Sequence, residues 1–229
     1  MGLLNRFDLC RIVKEYKIRN FFETGTFWGD GVAYALQAPF QKLVSVEVIP
    51  EIADKAKHRF EEQSHVEIIE GESVAVLESE LPKLDGNCIF WLDAHFPGAD
   101  AGLTTYDDDD NNEATRLPLP KELEVISRLR SKFKDVLILD DLRIYEDGPY
   151  QNGNVPDDAL PKMSRNIDFV YQYFGATHLI LKSYLDEGYI LLFPKNLYKR
   201  RHFSLLNICN KQPFVEDHYL VNNGLHNYA

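Results

Sequence analysis

Cysteine is scarce in this chain. Cys10, Cys88 and Cys209 are widely separated and form no CxxC pair, so they read as free buried thiols rather than a disulfide framework or a metal site. Positive charge is also in deficit: 25 Lys and Arg face 36 Asp and Glu, for a net charge of -11. Duplex binding draws on many Lys and Arg contacts to phosphate, so nucleic acid is disfavoured as a partner. The short cluster Lys199-Arg200-Arg201-His202 reads as a solvated edge. No apolar run is long enough to span a bilayer, neither terminus has a signal-peptide pattern, and no repeat or linker interrupts the 229 residues. The expectation is a single soluble, cytoplasmic domain over residues 1–229 that handles a small molecule or glycan, with a homo-oligomer left open.

Against these absences stands a regular alternation of extended and helical patterns. Strands are expected near 18–24, 42–48 and 66–70, with helices at 28–37, 50–62 and 73–80, which makes a βαβαβ half. The second half predicts a strand at 87–93, a long loop over 96–118, a helix at 120–133 and a strand at 135–141. A loop over 142–160 and a helix near 163–174 follow, then strands 178–184 and 188–193 joined by the turn Asp186-Glu187-Gly188, which predicts an antiparallel hairpin. Residues 1–17 are expected to form a helix covering one sheet edge, and 195–229 a covering segment. The fold class is therefore α/β, a Rossmann-like sheet that is mostly parallel, with helices on both faces and a hairpin at its end.

The turn after the first strand, Glu23-Thr24-Gly25-Thr26-Phe27-Trp28-Gly29-Asp30, lies where such folds bind ligands. A dinucleotide fingerprint starting at Gly25 would need glycine at Phe27 and Asp30, so that backbone could approach a pyrophosphate. Phe27 obstructs that approach, and Asp30 and Glu23 repel the charge. S-adenosylmethionine has no phosphate and carries positive sulfonium and ammonium groups, so one glycine suffices and nearby acids become an asset. Glu23, Thr24, Gly25 and Thr26 are assigned to this cofactor, with Glu23 at the methionine end. Glu47 ends the second strand where a ribose diol would be bonded, and Gly71, Glu72 and Ser73 could lie along an adenine edge. Taken singly, Glu47 or Glu72 could equally be a solvated strand-end or first-turn charge.

The third strong feature is Trp91-Leu92-Asp93-Ala94-His95 with Leu139-Asp140-Asp141. Over residues 18–194 the succession resembles the class I S-adenosylmethionine-dependent methyltransferases, and these two motifs look like those of the cation-dependent sugar and small-molecule O-methyltransferases. The resemblance implies Mg2+ or Mn2+ held by Asp93, Asp140 and Asp141, with Asp93 next to both cofactor and chemistry and His95 removing the proton. A cation is needed because a sugar hydroxyl is protonated at neutral pH and a poor nucleophile. Adjacent strand residues point to opposite faces, so Asp140 and Asp141 can share one ion only if the chain has already turned.

Arg143, Tyr145 and Tyr150 are candidate contacts to a sugar ring, and either Glu122 or Glu124 could face the pocket or the surface. The segment with Asp100, Tyr106 and Asp107 through Asp110 reads as an exposed lid. The competing functions are an NAD(P)-dependent oxidoreductase and a non-catalytic module that binds a glycan or a partner on the same fold.

Overall fold

The strand β1, Ile18–Thr24, is buried at every position except Arg19 and pairs in parallel on both sides. This computed structural model describes residues 3–99, 102–103, 113–155 and 165–197, and the backbone of Val215–Glu216. On one side of β1 lie β2, Lys42–Glu47, and β3, Val66–Glu70. On the other lie β4, Asn87–Leu92, β5, Val136–Leu139, and the antiparallel pair β6, His178–Ser183, and β7, Tyr189–Pro194. The order is β3-β2-β1-β4-β5-β7-β6-β8, where β8, Val215–Glu216, pairs antiparallel with β6. The chain thus winds away from β1 in one direction through β3 and then reverses to β4. That reversal opens a crevice beyond the C-terminal ends of β1 and β4.

Strands covered on both faces need apolar side chains on both, which the runs 43–46, 88–92 and 136–139 supply. Phe22, Val44, Phe90 and Leu137 face one layer, built by α4, Ser73–Glu80, α6, Leu119–Leu129, and α7, Asp168–Phe174. Phe21, Leu43, Ile89 and Ile138 alternate with them and face α1, Leu9–Tyr16, and α2, Asp30–Ala35. The helix α3, Pro50–Arg59, covers β2 and β3.

The N-terminal helix was expected at a sheet edge and lies instead on a face. Phe7 packs on Trp91 and Tyr189 at 6.2 and 5.3 Å between centroids, and Tyr16 stacks on Phe193 at 5.4 Å. Arg6 anchors this segment by pairing with both oxygens of Asp186 at 3.0 and 2.7 Å. Other elements are shorter than expected, for local reasons. Gly29, at φ 82°, delays α2 to Asp30, and Arg130 leaves α6 to pair with Asp135 at 2.9 Å. The strands end at Leu92 and Leu139, which puts Asp93, Asp140 and Asp141 beyond their tips. Cys88 is buried as expected, but Cys10 is exposed. Asp100, Tyr106, the aspartates 107–110, the basic cluster 199–202 and Cys209 lie outside the described residues, as does most of 195–229.

Candidate active site

The crevice holds a cavity of about 250 Å³ whose wall includes Gly25, Glu47, Gly71, Glu72, Ser73, Asp93 and His95. The turn after β1 makes this arrangement possible. A Cβ on Gly25, which sits at φ +84°, would stand 2.5 Å from the Asp93 carbonyl oxygen, so only glycine lets the β1 and β4 tips come this close. Four of the turn's backbone donors are already used. The N–H groups of Gly25 and Thr26 donate to Val46 O at 3.0 and 3.1 Å, and that of Gly29 donates to Thr26 O at 2.8 Å. Glu47 takes another, Phe27 N–H, at 2.9 Å, and its second oxygen accepts from Ile49 N–H at 3.0 Å. These four N–H groups of the turn are therefore not available to a pyrophosphate.

Glu23, Thr24 and Thr26 are not part of the cavity wall. Glu23 lies beneath the first turn of α2, where a Cβ on Gly31 would meet its carboxylate at 1.8 Å. It accepts from Ser45 Oγ at 2.5 Å, and Ser45 Oγ lies 2.6 Å from Thr26 Oγ1. Burial pushes the Glu23 carboxyl up to about 8 against the Ser45 hydrogen bond, with the charges of Glu47 and Asp30 adding to the rise. Buried beneath the turn and outside the cavity wall, Glu23 does not reach the place its expected role at the methionine end requires. It acts as a support under the turn.

At the other end of the cavity the tips of β4 and β5 are held in register. Asp93 N–H donates to Thr24 O at 3.1 Å, and Asp140 N–H donates to Leu92 O at 3.0 Å. His95 stands between two carboxylates: Nδ1 is 3.4 Å from Asp93 Oδ1, and Nε2 is 2.7 Å from Asp141 Oδ2. Donor atoms of Asp93, His95 and Asp141 all lie within 4.8 Å of one another, a set that suits a divalent cation. Burial and the Asp141 charge hold the Asp93 carboxyl well above the usual range, against a lowering contact with Asp140. Burial acts the same way on Asp141, but the charge and hydrogen bond of His95 together with Arg143 outweigh it and bring that carboxyl down to about 2.

Asp141 at φ 52° has left the strand, and the donor atoms that converge are those of Asp93, His95 and Asp141. The expected trio of Asp93, Asp140 and Asp141 is therefore not the set that converges. Asp140 is buried with both oxygens lacking a hydrogen-bond partner among the described residues, and burial followed by the Asp93 and Asp141 charges raises its carboxyl well above the usual range.

Arg143 was expected to touch substrate. It spans Asp141, 3.0 Å from Oδ1, and Glu187, at 3.7 Å. Tyr145 is buried against Phe169, and Tyr150 donates to Glu146 O at 3.0 Å, so neither ring lines the main cavity.

Glu122 resolves the choice left open on α6. It is 1% exposed and makes no well-formed hydrogen bond, whereas Glu124 pairs with Lys121 at 2.8 Å on the surface. Burial pushes Glu122 up to about 7, partly offset by the Ser73 and Thr24 hydroxyls. With His95, Asp140 and Tyr145 it lines an inner cavity of about 10 Å³. Its position between Leu119, Leu123 and Ile126 on the apolar stripe of the helix was the signal available in the sequence.

No protein-family profile and no curated protein matches this chain. Solved structures do. A Staphylococcus aureus protein assigned as a caffeoyl-CoA O-methyltransferase aligns with a TM-score of 0.55 and 14% identity over 85% of this chain and 84% of its own. An O-methyltransferase from Bacillus cereus in complex with S-adenosylhomocysteine aligns at 0.54 and 15%, over 85% and 82%. The O-methyltransferase TomG from Streptomyces achromogenes, in complex with S-adenosylmethionine, aligns at 0.51 and 16%, over 81% and 77%. The chain has the fold of the class I S-adenosylmethionine-dependent methyltransferases.

Proposed function

We propose that this chain transfers the methyl group of S-adenosylmethionine to a hydroxyl oxygen of a sugar or glycan, assisted by a divalent cation. The carrying observation is that one cavity at the sheet's switch point joins Gly25, Glu47 and Ser73 at one end to Asp93 and His95 at the other. Glu47, held by two backbone N–H groups, keeps a lone pair on each oxygen for a ribose diol. Ser73 opens α4, and Gly71 and Glu72 beside it form the wall for the adenine. Bound at Asp93 and His95, with Asp141 beside them, a cation would lower the pKa of the acceptor hydroxyl and fix its orientation. A vicinal diol offers two such oxygens, which supports a sugar as the acceptor.

S-adenosylmethionine would supply the methyl group to the acceptor oxygen, with sulfur leaving on the electron pair of the broken carbon–sulfur bond. Asp93, which faces the cavity, would ligate the cation through one oxygen and receive the hydroxyl proton on the other. Both nitrogens of His95 face carboxylates, so we do not propose it as the base. The test is calorimetry with S-adenosylhomocysteine, followed by transfer of labelled methyl to a panel of glycosides, catechols and alcohols. Binding with labelling of a glycoside supports the reading. A well-folded protein that does not bind S-adenosylhomocysteine refutes it, and labelling confined to catechols corrects the acceptor.

A further inference from the structure

Asp141 has both oxygens engaged: Oδ1 accepts from Arg143 Nε at 3.0 Å, and Oδ2 lies 2.7 Å from His95 Nε2. The other ring nitrogen, Nδ1, faces Asp93 Oδ1 at 3.4 Å, wider than the ~2.7–3.2 Å of an ordinary N–H···O hydrogen bond. Ligands about 2.1 Å from an ion stand about 3.0 Å apart in an octahedral shell and about 3.4 Å apart in a tetrahedral one, so the wider gap is the one a cation can bridge. The shorter contact matches the arrangement in which a metal-bound imidazole donates its second N–H to a carboxylate. Independently, the carboxylates of Asp140 and Glu122, 4% and 1% exposed and lacking hydrogen-bond partners among the described residues, line the inner cavity with His95. Buried carboxylates of this kind are costly without positive charge close by.

We infer that His95 ligates the cation through Nδ1 beside an Asp93 oxygen, with Asp141 holding Nε2, so that the site selects a first-row transition dication over Mg2+. Imidazole nitrogen suits Fe2+, Co2+ or Zn2+, whereas Mg2+ takes oxygen ligands and keeps its waters. The inference rests on the cation half of the proposed function and names the class of ion.

The test is calorimetric titration of the full chain with CoCl2 and, separately, MgCl2, with S-adenosylhomocysteine present, for the wild type and His95→Gln. Co2+ is expected to bind at least ~100-fold tighter than Mg2+. His95→Gln is expected to lose ~10–100-fold in Co2+ affinity while Mg2+ affinity stays nearly level. Equal affinities in the wild type, or a ratio unmoved in a variant with native circular dichroism, overturn the inference. Pulsed electron paramagnetic resonance of the Mn2+-loaded wild type needs no variant: nitrogen coupling is expected, and a spectrum with none overturns it. If S-adenosylhomocysteine binds and no cation does, the inference fails while the cofactor reading stands. If the Co2+ preference appears without S-adenosylhomocysteine binding, the ligand assignment holds and the methyl-transfer reading fails.

Discussion

Replacing Gly25 with alanine tests the close approach on which the cavity depends. Two costs add. An L-residue in the left-handed region that Gly25 occupies at φ +84° costs roughly 1–2 kcal/mol. The new Cβ would lie 2.5 Å from the Asp93 carbonyl oxygen, and forcing that backbone away is an overpacking cost of roughly 1–3 kcal/mol. The sum is about 2–5 kcal/mol, and at about 2–4 °C per kcal/mol for a chain of this size the melting temperature should fall by about 4–20 °C.

Gly153 is the control. It has φ +80° with nothing within 4 Å of the place a methyl group would take, so Gly153→Ala carries the backbone cost alone and should lower the melting temperature by about 2–8 °C. Differential scanning calorimetry of both variants, with S-adenosylhomocysteine titrations, reads the difference. Displacing Asp93 should weaken cofactor and cation binding in Gly25→Ala and leave both intact in Gly153→Ala. If Gly25→Ala melts no lower than Gly153→Ala and binds like the wild type, the β1–β4 contact does not shape the site.

The Glu23 carboxyl, carried to about 8 by burial, stays protonated in the folded chain while the unfolded chain ionises near 4.5. Its contribution is fully present below about pH 4.5 and is lost as pH rises through about 8, so Glu23→Gln should flatten the fall in stability over that window; urea melts at pH 5 and pH 8 with identical slopes for both proteins would show an ionised Glu23. Arg143→Ala leaves buried Asp141 with His95 as its remaining ion-pair partner among the described residues. A loss of about 1–3 kcal/mol in stability is expected, with about tenfold weaker cation binding and S-adenosylhomocysteine affinity nearly unchanged; an equal loss of both ligands would place Arg143 in the cofactor site instead.

Much of the architecture was legible because parallel strands buried on both faces write themselves as short apolar runs, as 43–46, 88–92 and 136–139 do. The hairpin of β6 and β7 was legible from Asp186-Glu187-Gly188. The N-terminal helix was misplaced because its apolar residues show that it covers the sheet without showing where; the Arg6 pair with Asp186, 180 residues away, decides that. Glu23 was misread for a related reason. Its position before a glycine turn suggests a ligand contact, and the depth that neutralises it comes from Gly31 and Ser45, which reach it through folding alone. Arg143 follows two aspartates and looks like a substrate contact until Glu187 arrives from the hairpin to take its other side.

The chemistry of the crevice follows from its topology. A parallel sheet brings the C-terminal tips of β1, β2, β4 and β5 to one side, and in this chain each tip ends in or is followed by an acid or hydroxyl: Thr24, Glu47, Asp93, Asp140. Burial makes negative charge costly at such tips unless a positive partner is present. Arg143 supplies one for Asp141, and backbone N–H groups serve Glu47, which leaves Asp93 and Asp140 with the largest uncompensated demand. A ligand that brings phosphate would raise that cost by adding negative charge, and four N–H groups of the turn are already spent on Val46, Glu47 and Thr26. A ligand that brings a sulfonium lowers it, and so does a dication between Asp93 and His95. The two groups of the proposed reaction, the sulfonium and the cation, are both positively charged, and the acids of this crevice favour both.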